Sequence, residues 1–278
     1  MDLLFIGFCQ NKFKPLAFEK RKINKFSVMD IKNNNSKIPR GRVSFVFPVY
    51  NEKYTIEKTL LSYHDEFSGK LDFEMIVAED GSTDGTKNIL KELQSRLPIK
   101  VYAQDQRKGY LKAIKDALKY PQYEWIFLVD SDHQFNTHDF WKLWPYIGEY
   151  DIILGKKTNR KDGSLRSFLS KGYNLLLKVI FKAPYEDMDT GFRLFKKSLA
   201  NELAPSVGNL GYFTAEFVIK SNDRGYKILE VPVEHLKQEM RSSNIFHIKK
   251  LPFIIGKELI GILKLFIEIR VKNNPESK

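Results

Sequence analysis

Between Val43 and Val129, short apolar runs alternate with segments of helical period, and this alternation restricts the fold more than any other feature of the chain. Val43-Ser44-Phe45-Val46-Phe47-Pro48-Val49 predicts a buried strand, and Ile56, Leu60, Leu61 and Tyr63 mark a helix after it. Phe73 to Ala78 predicts a second strand and Thr86 to Arg96 a helix. Ile99 to Gln104, Leu111 to Lys119 and Trp125 to Val129 continue as strand, helix and strand. Apolar strands joined through helices of about 10 residues call for an α/β fold with a mainly parallel sheet covered on both faces. Ligands of such sheets bind beyond the carboxyl ends of the strands. Two acidic loops fall at that edge, Asp80-Gly81-Ser82-Thr83-Asp84-Gly85 and Asp130-Ser131-Asp132.

Beyond Asp151-Ile152-Ile153-Leu154-Gly155 the pattern is less regular, with helices expected over Leu165 to Phe181 and Phe213 to Asn222 and an extended stretch from Lys227 to Val233. With 278 residues, 42% of them hydrophobic, the chain has material for a substantial core, which excludes a fibrous or wholly disordered protein. Its 46 Lys and Arg against 34 Asp and Glu give a net +12, and the excess sits at the ends. Residues 1–42 carry +7 and residues 245–278 carry +4, which leaves +1 between them. A near-neutral body argues against nucleic-acid binding, and basic flanks suit an anionic membrane surface. Residues 1–42, rich in Lys and Asn, read as a poorly ordered leader whose apolar start, Met1 to Cys9, lacks the basic region of a secretory signal. Cys9 is the only cysteine, so there is no intrachain disulfide and no Cys-based zinc site, as in a reducing compartment. No run of about 18 uncharged apolar residues predicts a transmembrane helix.

Asp130-x-Asp132 at a strand end sets two carboxylates side by side, which suits a hard divalent cation on phosphate oxygens, with Gln134 able to add a neutral oxygen. A polar strand-end turn explains the same residues. An EF-hand does not, because Gln134 and Phe135 stand where that loop needs Asp or Asn and Gly. The Asp80 loop reads equally as a binding loop or as a turn in which Asp84 or Ser82 caps the next helix. Neither a dinucleotide fingerprint nor a P-loop follows a strand, and the five histidines show no ligand spacing.

Pro48-Val49-Tyr50-Asn51-Glu52, Glu79-Asp80-Gly81-Ser82-Thr83-Asp84-Gly85-Thr86, Asp130-Ser131-Asp132-His133-Gln134 and Asp187-Met188-Asp189-Thr190-Gly191-Phe192-Arg193 lie in the order and spacing of the family 2 glycosyltransferases, which the chain resembles over residues 43–244. Within that family it looks most like the polyprenyl-phosphate branch, the dolichol-phosphate mannose or glucose synthases, because Arg160, Arg166-Ser167-Phe168-Leu169-Ser170 and Asn174 resemble its acceptor-phosphate segment. The resemblance implies a GT-A-type fold, a GDP- or UDP-linked hexose as donor, and Mg²⁺ or Mn²⁺. It places Pro48, Tyr50, Glu52, Asp80 and Lys108 around the nucleotide sugar, and Asp130, Asp132 and Gln134 on the metal. Arg160, Arg166 and Ser170 would hold the acceptor phosphate, with Asp130, Asp132 and Arg166 carrying catalysis. The sequence departs from the pattern at Tyr110, where a small residue is usual, and at Gln238 to Asn244, where Arg241 or Lys237 would replace a late phosphate-binding arginine.

A phosphate-monoester acceptor already carries an oxyanion and needs positioning, for which arginine's planar fork is suited. A sugar-hydroxyl acceptor would need a general base, with Asp187, Asp189 and Glu216 as candidates. Arg193 is also explained as a structural partner of Asp187. From Leu251 to Ile269, Lys257, Gly261, Lys264 and Glu268 form one polar stripe on an otherwise apolar helix, whose wide face must be buried. The partner is an anionic membrane met by Lys249, Lys250, Lys257, Lys264, Arg270 and Lys272, or else the protein body or a second copy. These readings describe a transferase peripheral to the cytoplasmic face of a membrane, with residues 1–42 as leader, 43–244 as transferase domain and 245–278 as basic amphipathic region. The alternatives are the same chemistry on a glycan hydroxyl, and a non-catalytic nucleotide-sugar-binding scaffold.

Overall fold

The structure, a computed structural model, describes residues 41–158, 164–237 and 251–272. They belong to one compact unit, Lys37–Lys278. All of the expected leader except Gly41 and Arg42 lies outside the described residues. In chain order the elements are β1 (Arg42–Val49), α1 (Ile56–Phe67), β2 (Asp72–Glu79), α2 (Thr86–Leu93), β3 (Ile99–Ala103), α3 (Tyr110–Ala117), β4 (Trp125–Val129), α4 (Phe140–Leu143), β5 (Ile152–Thr158), α5 (Ser164–Phe181), β6 (Phe192–Lys196), α6 (Lys197–Leu203), α7 (Phe213–Asp223), β7 (Ile228–Glu234) and α8 (Leu251–Lys272).

The strands form one seven-stranded sheet in the order β3-β2-β1-β4-β6-β5-β7. β1 runs parallel to β2 and β4, β2 to β3, and β5 to β7. β6 is antiparallel to both of its neighbours, β4 and β5. Its reversal matters for the site: where β4 ends, β6 begins, so the residues just before Phe192 sit at the same edge as Asp130.

Both faces of the sheet are covered, which is why the central strand β4 is apolar throughout. On one face Phe45 packs on Phe67 with ring centroids 4.7 Å apart, and Phe127 meets Phe140 edge to face at 5.1 Å. On the other, Val46, Ile76, Ile126 and Leu128 join Ile114, Phe217 and Leu203 in a second buried cluster. Each such side chain, removed from water, contributes roughly 1.5–3 kcal/mol.

Of the partners that the sequence leaves open for α8, the described residues show the protein body. The seam it buries is Gly261, Ile262 and Leu265, and Ile262 and Leu265 join the core with α5 and α7 residues. Close approach sets this docking, since a Cβ on Gly261 would fall 2.3 Å from the Asn209 carbonyl oxygen. Glu258 accepts from the Gly211 amide at 3.0 Å and from the Tyr173 hydroxyl at 3.3 Å, and Glu268 accepts from Asn209 Nδ2 at 2.7 Å. Gly261 and Glu268, two members of the polar stripe, therefore face the body, while Phe253, Leu259, Ile260, Leu263 and Ile267, on the apolar side, are exposed.

Candidate active site at the carboxyl edge of the sheet

The loops after β1 and β2 are tied to each other. The Asn51 amide donates to Ser82 Oγ, the Glu52 amide to Thr86 Oγ1 and the Thr83 amide to Asn51 Oδ1, each at 2.9 Å. Asn51 takes φ 55°, a left-handed conformation that asparagine tolerates. Neither capping candidate is the N-cap, which is Gly85: Asp84 accepts from the Thr86 amide at 3.1 Å in the turn before the helix, and Ser82 links the loops. Burial would raise the Asp84 carboxyl, but the hydrogen bonds from Thr86 and Lys53 hold it below the usual range.

Asp80 is buried, and its two oxygens accept from the amides of Lys108, at 2.7 Å, and Gly109, at 2.9 Å. Its first task is thus to hold the Lys108 loop over the edge. Gly81 permits this, because a Cβ there would lie 2.5 Å from the Arg107 amide nitrogen. The Arg107 guanidinium in turn stacks 4.0 Å above the Tyr50 ring. Pro48, Tyr50, Glu52, Asp80 and Lys108 are therefore brought to one end of the sheet, with the Lys108 ammonium paired to Asp116 at 2.9 Å. Glu52 is buried and accepts from Thr55 Oγ1 at 2.8 Å. Asp80→Ala leaves two amides without their acceptor. It should cost about 1–3 kcal/mol, which thermal melts of the variant beside wild type will show.

At the end of β4, the Ser131 hydroxyl donates to the Pro48 carbonyl at 2.8 Å and Thr59 Oγ1 donates to the Ser131 carbonyl at 3.1 Å. These bonds fix the turn that carries Asp130 and Asp132. The Asp130 amide donates to the Gly191 carbonyl at 2.9 Å, and its carboxylate lies so close that a Cβ on Gly191 would fall 2.0 Å from Oδ2. Asp130 Oδ1 is buried with no hydrogen-bond partner. Asp132 Oδ1 accepts from the Gln134 amide at 3.3 Å, and Gln134 is buried. Among the described residues no group of three or more His, Cys, Asp and Glu gathers to hold a metal, and the oxygen groups that the turn after β4 carries are the Asp130 and Asp132 carboxylates and the Gln134 amide. Hard oxygen donors and an unmet buried carboxylate oxygen fit a divalent cation.

The residues before β6 complete the edge. Asp187 accepts from the Lys157 amide at 2.8 Å and pairs with the Lys157 ammonium at 3.1 Å. Asp189 accepts from Asn174 Nδ2 at 3.0 Å and from Ser170 Oγ at 3.5 Å, so α5 steers this carboxylate. Arg193, which the sequence also explains as a partner of Asp187, does not pair with it. Buried on β6, it donates to the Thr190 carbonyl and, at 3.1 Å, to the Tyr110 hydroxyl. Glu216, a candidate base, is enclosed elsewhere: it accepts from the amides of Gly208, Asn209 and Leu210 at 3.0, 2.7 and 2.8 Å and pairs with Lys220 at 2.9 Å. The loop before α7 consumes its lone pairs, so it is not joined to the Asp130 group. Arg166 lies in the first turn of α5 with its side chain outside the description, and Arg160 and Arg241 lie outside the described residues.

Arg107, Tyr110 and Arg193 enter the site without having been assigned a ligand role from sequence. Arg107 meets Tyr50 from a loop far along the chain, and Arg193 stands in a strand that its own charge disguises.

Residues 44–204 match the family described as Glycosyl transferase family 2. The chain is 28% identical over 207 residues to glycosyltransferase AglD of Haloferax volcanii, covering 69% of this chain and 32% of that protein. It is 26% identical over 211 residues to dolichyl-phosphate beta-glucosyltransferase ALG5C of Trichomonas vaginalis, covering 69% and 63%. The chain thus spans less than two thirds of the length of these curated relatives. Among solved structures, mannosyltransferase PcManGT from Pyrobaculum calidifontis, in complex with GDP-Man and Mn²⁺, superposes with a TM-score of 0.60 at 21% identity, covering 83% of this chain and 65% of that one. Glucosyl-3-phosphoglycerate synthase from Mycobacterium tuberculosis, in complex with Mn²⁺, UDP and phosphoglyceric acid, gives 0.62 at 18% identity, covering 81% and 78%. The fold is GT-A.

Proposed function

The chain belongs to glycosyl transferase family 2, and from that premise we propose that it moves a hexosyl group from a nucleotide sugar to a polyprenyl phosphate at a membrane surface. The observation that carries the proposal is a juxtaposition. α5 supplies Ser170 and Asn174 to Asp189 at the sheet edge, and the same helix exposes Phe168, Leu175 and Val179. A lipid-borne phosphate needs both: a polar seat for its head and an apolar approach for its chain.

The nucleotide sugar is supported by the GDP-Man and UDP held in structures of the same fold, and the lipid phosphate by the relative named a dolichyl-phosphate glucosyltransferase. On this reading Tyr50, Glu52 and the Asp80–Lys108 loop receive the nucleotide, with Pro48 fixing the turn of Asp130. Asp130, Asp132 and Gln134 would hold Mg²⁺ or Mn²⁺, which neutralises charge on the leaving diphosphate. The acceptor oxyanion is positioned by Arg160, Arg166, Ser170 and Arg241 rather than deprotonated. Residues 43–244 then carry the transferase chemistry, and α8, docked on that body through Ile262 and Leu265, turns its exposed side to the membrane on the cytoplasmic side.

Among the described residues no helix is long and apolar enough to cross a membrane. α8 nevertheless exposes Phe253, Leu259, Leu263 and Ile267, with Lys257, Lys264 and Arg270 also exposed. Basic residues near an anionic leaflet contribute about 1 kcal/mol each. Leu263→Asp with Ile267→Asp leaves the buried seam untouched. The pair should lower transfer to long-chain polyprenyl phosphate in anionic vesicles by roughly tenfold, about 1.4 kcal/mol, and spare transfer to a short water-soluble one. Equal transfer by both proteins in vesicles would remove the membrane from the account.

One observation favours a second reading: Asp189, held by Asn174 and Ser170, stands where a general base for a glycan hydroxyl could act. Loss of glycan extension, but not of lipid-phosphate transfer, in Asp189→Asn would select it.

A further inference from the structure

Arg193 is 1% exposed, and within the described residues its guanidinium meets no carboxylate. Nη1 donates to the Thr190 carbonyl, Nη2 donates to the Tyr110 hydroxyl at 3.1 Å, and Nε is buried with no hydrogen-bond partner. A buried cation with an unmet donor and no carboxylate in direct contact is costly, and a fold that keeps one at a ligand edge gains from it when an anion arrives. The place is informative. Arg193 is paired with Leu128 on β4, so it lies on the same face of the sheet as Asp130, two residues further along that strand.

Tyr110 stands between that cation and the edge. Its oxygen accepts from Arg193, so its own proton is directed elsewhere. Burial, opposed by Arg193 and reinforced by the charges of Asp130 and Asp189, pushes the phenol up to about 12, which keeps it a donor. The residue as a whole is 38% exposed. Tyr110 also stands where the family pattern has a small residue, and a small residue could not bring a hydroxyl here.

We propose that Tyr110 and Arg193 form a binding element for an anionic phosphate oxygen, in which the Tyr110 hydroxyl donates to that oxygen and Arg193 orients the hydroxyl and balances the charge. The inference rests on the reading of this edge as a nucleotide-sugar site. The oxygen can belong to the diphosphate of the donor or to the phosphate monoester of the acceptor. The chemistry is the same in both: a charge-assisted hydrogen bond from a phenol backed by a guanidinium.

Tyr110→Phe keeps the ring and removes only the hydroxyl. In the full chain with Mn²⁺, GDP, UDP, guanosine and uridine are titrated calorimetrically, and KM is measured for a water-soluble polyprenyl phosphate. If the oxygen is the donor's, affinity for the nucleoside diphosphate falls about tenfold while the nucleoside and the acceptor KM are unchanged. If it is the acceptor's, the KM of polyprenyl phosphate rises by about the same factor while diphosphate affinity is kept. Arg193→Lys, which retains charge but loses the fork, should shift the same quantity in the same direction. A Tyr110→Phe protein with wild-type diphosphate affinity and wild-type acceptor KM overturns the inference, whatever its melting temperature. Wild-type protein that binds the diphosphate yet makes no polyprenyl product overturns the function proposed above, and the diphosphate arm alone then decides the inference.

Discussion

Asp132→Asn is expected to lower hexosyl transfer by about 10²–10³-fold, the scale on which removing one electrostatic group aimed at developing charge acts, with the melting temperature held. The turn is also fixed by the bonds of Ser131 to Pro48 and Thr59 to Ser131, and an asparagine Oδ1 can still accept from the Gln134 amide. Its neighbour Asp130 keeps an unmet buried oxygen in the variant, and one hard ligand of the pair is gone. Transfer assays at saturating donor over a Mn²⁺ series, beside thermal melts, measure both halves. Turnover within a fewfold of wild type at high Mn²⁺ would mean that Asp132 is not part of the metal seat.

Gly191→Ala should have an effect of similar size for a different reason. The new Cβ would lie 2.0 Å from Asp130 Oδ2 and 2.5 Å from its Cγ, so the carboxylate and the methyl cannot both stay. Either Asp130 leaves its seat or the start of β6 shifts, and such overpacking costs typically 1–3 kcal/mol. The account predicts loss of Mn²⁺-dependent nucleotide affinity and a lower melting temperature. Adding Asp130→Ala removes the atoms that clash, so the double variant should regain stability while metal-dependent binding stays lost. A double variant no more stable than Gly191→Ala would show that the glycine serves something other than the Asp130 carboxylate.

The sequence displays β1, β2 and β4 because their central residues are buried on both faces and read as apolar runs, while β3, an edge strand with Lys100 exposed, shows through its place between two helical segments. The positions of Asp80 and Asp130 at strand ends follow from that pattern. β6 is not visible in the same way: Arg193 breaks its apolar run, and only the pairing of β6 between β4 and β5 shows that this cation is buried. Asp80 shows what spacing cannot carry. Its distance from β2 places it at the edge, but that its oxygens hold the Lys108 loop depends on a fold-back from residues 28 and 29 positions away. α8 has the helical period expected, but its docked side is chosen by the approach of Gly261 to Asn209 and by the bonds of Glu258 and Glu268, not by the width of its apolar face.

The central claim is transfer to a lipid phosphate, and the mass of the lipid product tests it most directly. Wild-type protein is incubated with Mn²⁺, a panel of GDP- and UDP-linked hexoses, and an equimolar mixture of a short polyprenyl phosphate and the matching polyprenol. The account predicts one product, the polyprenyl phosphate heavier by one hexosyl residue, formed from one of the donors and absent when the metal is chelated. A hexosylated polyprenol, or donor turnover that leaves the polyprenyl phosphate unchanged while a glycan is extended, would contradict it.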